Sequence, residues 1–321
     1  MDSFAVRDVT VAQAGFRLTF SETSQQRDTD LSHAASLAAA GLSAVRVRIA
    51  WQILAPTSDK TNDRTREELT EYVAALAGLG LDVWPTLCGT RLPGWFLDEG
   101  GFSDTKITER SWPRYVDTLA EDIGDIVAGW IPFEAPMALA LTWRGDPTGP
   151  IDAKFADAFG GIVRSWTQAA RLLRGNPLML ALDIQHSGCT SDMRQVWIEA
   201  ITRGMLAIPG RMSRELDDLQ HSATDIALST NDATILDDSS ALHRWSEQTL
   251  QHLFWFAETF GPTPLSIAAL PDASTETQHE DLIAGVQQLS TEAASGGAPL
   301  RHIFLGDAGR VAALREPPSG L

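Results

Sequence analysis

The chain alternates between short apolar runs and longer segments in which apolar residues recur every three or four positions. Eight runs of four to six residues are mostly apolar at both odd and even positions, which is typical of strands buried on both faces of a parallel sheet. These predicted strands cover residues 15–20, 44–49, 83–87, 129–133, 178–183, 225–229, 265–268 and 302–305.

The segments between these runs have helical periodicity. The first predicted helix covers 29–40, capped by Asp28 or Asp30 and ended by Gly41. The others cover 66–79, 112–126, 155–173, 246–260 and 281–294. Eight strands alternating with helices predict a single (β/α)₈ TIM barrel spanning residues 1–321. A doubly wound open sheet is the rival, but the segment after Phe20 reads SETSQQRD and lacks the Gly-rich phosphate turn.

Composition narrows the possible functions. The 321 residues are 44% hydrophobic, which excludes a disordered chain, and the formal net charge of −17 argues against nucleic acid or an anionic membrane as partner. Two cysteines cannot build a disulfide scaffold. The start, MDSFAVRDVTV, lacks a secretory signal pattern, and no stretch of about 18 apolar residues occurs, so we expect a cytoplasmic protein. Three lysines against 22 arginines indicate a high-GC, bacterial source.

In a barrel of this kind the chemistry lies just past the carboxyl end of each strand. Strand 2 ends in VRVRIAW, strand 3 in TLCGTRLPGW, strand 4 in WIPFEAP, strand 5 in LALDIQHSG and strand 8 in FLGDAGR. The catalytic candidates are therefore Glu134 after strand 4, Asp183 after strand 5 and Asp307 after strand 8. Glu134 follows an apolar strand, and such surroundings raise a carboxyl pKa and suit acid–base work.

Each candidate has an alternative structural role. Glu134 could be a buried partner of Arg46 or Arg91, and Asp307 could cap a helix over 308–314. His186 could move protons or lie in an ordinary loop. Arg91 could bind an anionic substrate group or pair with an acidic neighbour. The remaining candidate substrate-binding residues are aromatic side chains near strand ends that could line the mouth or pack in the core, namely Trp51, Trp95 and Trp130.

Several of these runs resemble glycoside hydrolase family 1, the β-glucosidase-type barrels. VRVRIAWQILAP resembles the family's Y-R-F-S-I-S-W-x-x-I-x-P, and TLCGTRLPGWFLDEGGF resembles T-L-Y-H-W-D-L-P-x-W-L-x-D-x-G-G-W. WIPFEAP is similar to W-x-T-F-N-E-P, and PLSIAALPD is similar to P-L-Y-I-T-E-N-G. The resemblance spans nearly the whole chain and implies a TIM barrel, although family members usually run longer.

The sequence departs from the family pattern at the positions of the family's catalytic residues. The resemblance places Ala135 at the acid/base glutamate and Ala269 at the nucleophile, while the strand-2 arginine is kept as Arg46. Retaining glycosidases need two carboxylates about 5–5.5 Å apart, so loss of both removes the double-displacement route. A one-residue slip would instead bring Glu134 to the acid position, at the cost of changing which face each residue occupies.

Three functions remain open at this stage. The first is a glycosidase-like barrel repurposed for acid–base chemistry on a small molecule, such as cyclisation, dehydration or isomerisation in bacterial natural product biosynthesis. The second is a non-catalytic pseudo-glycosidase that binds a ligand or a partner, and the third is a hydrolase using a displaced Glu134. A buried ion pair at Glu134 would favour the second. No histidine spacing indicates a metal site, and no cofactor is predicted.

Overall fold

A computed structural model describes residues 11–143, 153–184, 191–207, 214–215, 223–229, 236, 239–270 and 275–307. Its main sheet has eight parallel strands, numbered here along the chain. They are β1 Val11–Thr19, β2 Ala44–Arg48, β3 Asp82–Cys88, β4 Ile131–Phe133, β5 Met179–Leu182, β6 Asp225–Ser229, β7 Leu265–Ala269 and β8 Leu300–Asp307. Each predicted strand is confirmed to within a few residues.

The strand order closes the sheet into a barrel. Neighbours run β4-β3-β2-β1-β8-β7-β6-β5, so strands adjacent in the chain are adjacent in space and β1 pairs with β8. The two ends of this order meet at a bridge between Trp130 and Leu178. There, Trp130 N donates to Pro177 O at 2.9 Å and Met179 N donates to Trp130 O at 2.8 Å. The predicted single (β/α)₈ architecture is thus confirmed.

The helices surround this barrel. They are α1 Ser24–Ala39, α2 Trp51–Leu54, α3 Asp63–Gly78, α4 Gly94–Asp98, α5 Thr105–Ile123, α6 Pro136–Leu141, α7 Ala153–Leu172, α8 Ser191–Arg203, α9 Ser239–Phe260 and α10 Glu276–Ser295. A 3₁₀ turn covers Gly101–Ser103, and a short antiparallel pair joins Met205–Leu206 to Arg214–Glu215. None of the helices described is long and apolar enough to cross a membrane.

The predicted start of the first helix is wrong. It begins at Ser24 rather than after Asp28 or Asp30, because its first turn is polar and carries no apolar period. Asp30 is instead buried within the helix, where it accepts a hydrogen bond from Gln26 Nε2 at 2.8 Å. The predicted stop is confirmed, since Gly41 takes the left-handed conformation with φ of 98°.

Two apolar layers support the barrel. The larger lies between strands and helices and includes most of the large aromatic side chains. The smaller fills the barrel interior with Trp84, Phe304, Ile131, Met179 and four alanines. The interior is therefore packed with side chains at this level, and a ligand can be held only at an end of the barrel or outside it.

Candidate functional site

Glu134 stands at the carboxyl end of β4, where the fold places catalytic groups. Its backbone N–H donates to Cys88 O at 2.9 Å, so the ladder between β3 and β4 continues to this residue. Its side chain is 2% exposed. The side chain is buried as expected, but charged rather than apolar side chains contact its carboxylate, so the expectation of a raised pKa is wrong.

Two guanidinium groups hold the Glu134 carboxylate. Arg48 Nε donates to Oε2 at 2.8 Å and Arg48 Nη2 donates to Oε1 at 2.6 Å, which is a bidentate pair. Arg46 Nη2 lies 3.3 Å from Oε1. Burial raises the pKa of Glu134, but the charges of Arg46 and Arg48 outweigh it and bring the pKa to about 2. The carboxyl group is thus ionised at neutral pH and has no proton to donate.

Arg46 is anchored on three sides. Its Nε donates to Thr86 Oγ1 at 2.8 Å, its Nη1 donates to the carbonyl oxygen of Ala268, and its Nη2 faces Glu134. Burial lowers the pKa of this guanidinium to about 10, with Glu134 opposing the shift. The arginine that the family resemblance assigns to steadying a nucleophile therefore joins β2, β3, β4 and β7, and it remains charged at neutral pH.

Alanine occupies both positions that the resemblance assigns to catalytic glutamates, and its side chain has no group for acid–base or nucleophilic chemistry. Ala135 is buried, 5% exposed, and immediately precedes α6. Ala269 is the last residue of β7. A methyl group can neither attack an anomeric carbon nor transfer a proton.

The Asp183 carboxylate binds the first turn of helix α6. Asp183 follows β5, is 3% exposed, and accepts hydrogen bonds from Met137 N at 2.8 Å and Ala138 N at 2.7 Å. These N–H groups begin α6 and would otherwise have no partner in that helix. The negative charge also lies at the positive end of the helix dipole. Asp183 thus positions the segment that follows Glu134.

Replacing Asp183 by alanine should therefore destabilise the protein by about 1–2 kcal/mol. Asn is the matched control, because its amide oxygen keeps one acceptor, and we expect a smaller loss for Asp183→Asn. Urea denaturation of the three proteins measures both changes. Equal midpoints for wild type and Asp183→Ala would show that the cap contributes nothing.

The predicted tryptophans pack against other apolar side chains. Trp130 is fully buried in the layer between strands and helices. Trp51 is 2% exposed and stacks on Tyr115, with ring centroids 4.8 Å apart. Trp95 packs edge-on against Trp51, with centroids 5.9 Å apart. The structure assigns all three to packing outside the barrel, and their predicted contact with a substrate gains no support.

The structure does not bring the other predicted site residues into contact with Glu134. Arg91 is exposed beyond β3, and among the described residues it forms no ion pair. It is therefore not the partner of Glu134, which is paired with Arg46 and Arg48. His186 lies outside the described residues, as does the helix predicted after Asp307. Asp307 itself ends β8 in register with Arg17, and the position of its side chain is not described.

Sequence reasoning missed the part played by Arg48 and Arg17. Arg48 completes the Glu134 pair, and Arg17 Nε donates to Leu305 O at 3.1 Å while its charge acts on both Arg46 and Glu134. A usable signal was present. Residues two apart on a strand point to the same side, so a strand that directs Arg46 inward directs Arg48 inward as well.

A second polar cluster lies at the opposite end of the barrel. His302 Nδ1 is 3.0 Å from Asp225 Oδ2, and Ser266 Oγ donates to the same oxygen at 2.9 Å. These three residues stand near the amino ends of β8, β6 and β7, and none is more than 1% exposed. Because no substrate can reach them, the serine, histidine and aspartate form a buried hydrogen-bond network that ties three strands together.

Comparisons with solved structures agree on the architecture. The AHE enzyme from Alicyclobacillus herbarius matches with a TM-score of 0.70 and 16% identity, covering 93% of this chain and 88% of that one. The β-glycosidase from Pyrococcus horikoshii matches with a TM-score of 0.70 and 14% identity, covering 92% and 84%. The family 1 β-glucosidase from Thermotoga maritima matches with a TM-score of 0.66 and 14% identity, covering 88% and 76%.

The chain has the fold of the family 1 β-glucosidases. Comparison of the sequence alone gives a match over a much shorter part of the chain. Lactase/phlorizin hydrolase of Rattus norvegicus is 29% identical over 107 residues, which is 33% of this chain and only 6% of that protein's length. No family model matches the chain. The resemblance seen in the motifs is confirmed at the level of the family 1 fold, while activity stays a matter for proposal. Within the described residues, no group of three or more His, Cys, Asp or Glu side chains is placed to hold a metal ion.

Proposed function

We propose that this protein is a pseudo-glycosidase: a barrel with the family 1 fold that binds a small molecule at its mouth and does not hydrolyse glycosides. The observation that carries the proposal is the state of Glu134. The carboxylate that follows β4 is buried, bidentate with Arg48 and close to Arg46, with a pKa of about 2. A general acid must carry a proton near neutral pH, and an effective general base must have a pKa nearer the working pH.

The first hypothesis is an acid–base enzyme that uses Glu134 with Asp307 or Asp183 and an arginine. The same geometry weighs against the form that uses Asp183, while the side chain of Asp307 lies outside the described part of the structure. Glu134 is engaged by two arginines, and Asp183 is engaged by the first N–H groups of α6. Both carboxylates thus have structural partners that a substrate would have to displace. A cyclase or isomerase in natural product biosynthesis remains a prediction from the sequence without a described group to perform the proton transfer.

Two exposed arginines at the strand ends support a ligand rich in hydrogen-bond acceptors. The Arg48 side chain is 40% exposed although its partner is buried, and Arg91 is exposed beyond the neighbouring strand. A guanidinium only donates hydrogen bonds, so these two side chains favour carboxylate, phosphate or hydroxyl groups on the ligand.

A panel of nitrophenyl β-glycosides tests the proposal. We expect saturation-transfer NMR to detect binding of at least one glycoside, with no release of nitrophenol above the buffer rate. The Thermotoga maritima β-glucosidase, assayed in parallel, controls for substrate quality. Turnover at about 1 s⁻¹ or faster, the lower end of ordinary enzyme rates, contradicts the proposal. The absence of both binding and turnover contradicts the part that places a glycoside-like ligand in the mouth.

A further inference from the structure

A groove runs between α1 and α2 at the end of the barrel where the strands carry their carboxyl ends. We name it the α1–α2 groove. Its lining comes from residues 19–22 at the end of β1, from one face of α1, and from residues 50, 52 and 53 at the start of α2. Its accessible volume is about 480 Å³, within the range of small-molecule sites. Glu134 and its two arginine partners do not line it, so the groove is a separate site beside the mouth.

One face of α1 forms a polar wall of the groove. Gln26, Asp30 and His33 lie four and three residues apart, which places them on the same side of the helix. Gln26 Nε2 donates to Asp30 Oδ1 at 2.8 Å, and this bond holds the two side chains in place. Gln26 is exposed and His33 is partly exposed, while Asp30 lies deeper, at 7%. The wall therefore presents polar side chains to a molecule in the groove.

The groove is acidic. Glu22 and Asp30 line it, and no lysine or arginine does. Glu22 is exposed and forms no ion pair within the described part of the chain. The neighbouring Arg27 is bound elsewhere: its Nη1 donates to the carbonyl oxygens of Ser21 and Glu22 at 2.8 and 3.0 Å, and its Nη2 lies 3.2 Å from Glu68 Oε2. The Glu22 carboxylate is thus available to a cation from outside the chain.

Hydroxyl groups and a small apolar surface complete the lining. Thr19 is exposed, and Ser21, Ala50 and Ile53 are partly exposed. An ammonium group donates three hydrogen bonds and accepts none, so it matches a lining of carboxylate and hydroxyl oxygens. The side chains of Ala50 and Ile53 offer contact to a short methylene chain. Together these groups favour a ligand that has a cationic end and an aliphatic body.

We propose that the α1–α2 groove binds a small aliphatic amine in its protonated form. The ammonium group binds the Glu22 carboxylate through charge-assisted hydrogen bonds, and Asp30 adds a second negative charge to the same site. The aliphatic part lies along Ile53. This site does not depend on the function proposed for the barrel mouth, because the residues that line the groove are different from those that hold Glu134.

The probe for this proposal is 5-amino-1-pentanol, with the neutral 1,5-pentanediol as its matched ligand. We expect an NMR titration at neutral pH to shift the backbone amide signals of residues 19–26 and 50–53. The dissociation constant of the amine should be about 10 mM or tighter, a modest affinity for its seven non-hydrogen atoms. The diol should bind about fivefold more weakly. Equal binding of the two ligands, or an amine that leaves these amide signals unmoved, would overturn the proposal.

Two variants separate this site from a general attraction of cations to an acidic protein. Glu22→Gln should weaken binding of the amine about threefold, as expected for a partly exposed ion pair, and leave binding of the diol unchanged. Glu121→Gln is the control, because Glu121 is exposed on α5, does not line the groove, and its replacement changes the net charge equally. Both glutamates are exposed, so both variants should fold. Equal losses in the two variants would refute the site.

Discussion

Replacing Glu134 by alanine should destabilise the protein by about 3–5 kcal/mol, because the change leaves the buried Arg46 charge without its carboxylate. Arg46 is 2% exposed and cannot turn to water, while Arg48 is 40% exposed and can. Urea denaturation measures the loss. The matched control is Glu99→Ala, since Glu99 pairs with Arg110 and the two side chains are 36% and 52% exposed. Surface pairs of this kind contribute about 1 kcal/mol or less each.

A compensating variant separates lost pairing from lost packing. Arg46→Met combined with Glu134→Leu removes both buried charges, and apolar replacements of buried ion pairs are often neutral or stabilising. We expect the double variant to recover most of the stability lost in Glu134→Ala. If the double variant is as unstable as the single one, the ion pair is not the cause of the loss.

The same pair predicts a pH dependence. The pKa of Glu134 is about 2 in the folded protein, against 4.5 for the free side chain. A carboxyl pKa lowered by folding stabilises the protein above the unfolded value, and that stabilisation is lost as the pH falls from about 4.5 towards 2. Its size is about 3 kcal/mol by the usual conversion. In Glu134→Gln this part of the acid sensitivity should disappear, so a wild-type slope in that variant would contradict the assignment.

The second large effect is expected at Gly161, where even a methyl group has no room. A Cβ atom there would lie 1.8 Å from the carbonyl oxygen of Phe102, which belongs to the 3₁₀ turn that packs on α7. Backbone cannot move aside as a flexible side chain can. Gly161→Ala should therefore cost about 3 kcal/mol or more. It should also disturb strand β4, because Phe102 packs against Phe133 with ring centroids 5.5 Å apart.

Gly160 offers an adjacent control on the same helix. A Cβ at Gly160 would lie 3.1 Å from Leu206 Cδ2 and 3.4 Å from Arg164 Nη1, both at the ends of flexible side chains. Alanine is also favoured over glycine inside a helix by about 0.5–1 kcal/mol. Gly160→Ala should consequently stay within about 1 kcal/mol of wild type in thermal and urea unfolding. Similar losses at the two positions would indicate that helix α7 does not depend on close contact with the turn.

The fold could be predicted from the sequence because strands buried on both faces leave a dense apolar signature. The run 225–229 was predicted to the residue, and the family-like motifs at 45–56 and 86–102 supported the same architecture. Helix starts were less accessible. In α5 the first turn is polar, and the cap is Asp104, which accepts from Lys106 N and Ile107 N. Such caps can be recognised in a sequence only when the boundary is already known.

The sequence predicted where the residues of the candidate site lie, but not which side chains and backbone groups they contact. Glu134 and Asp183 were found from their places after strands, since a barrel brings all strand ends to one face. What each carboxylate contacts depends on three-dimensional neighbours: Asp183 reaches Met137 N, 46 residues away, and Glu134 reaches Arg48, 86 residues away. Inward parity could have identified Arg48 as a candidate, but not its bidentate bond.

Backbone pairing between neighbouring strands is uneven around the barrel, and β4 and β5 meet only at the bridge between Trp130 and Leu178. β4 and β5 have three and four residues, and two backbone hydrogen bonds around Trp130 join them, whereas β1 pairs with β2 through five consecutive residues. Cohesion around the ring is thus lowest at this seam. Opening free energies differ between parts of a fold and are smallest where few bonds must break. The fluctuations that part the wall of the barrel should accordingly begin beside β4, the strand that leads to Glu134.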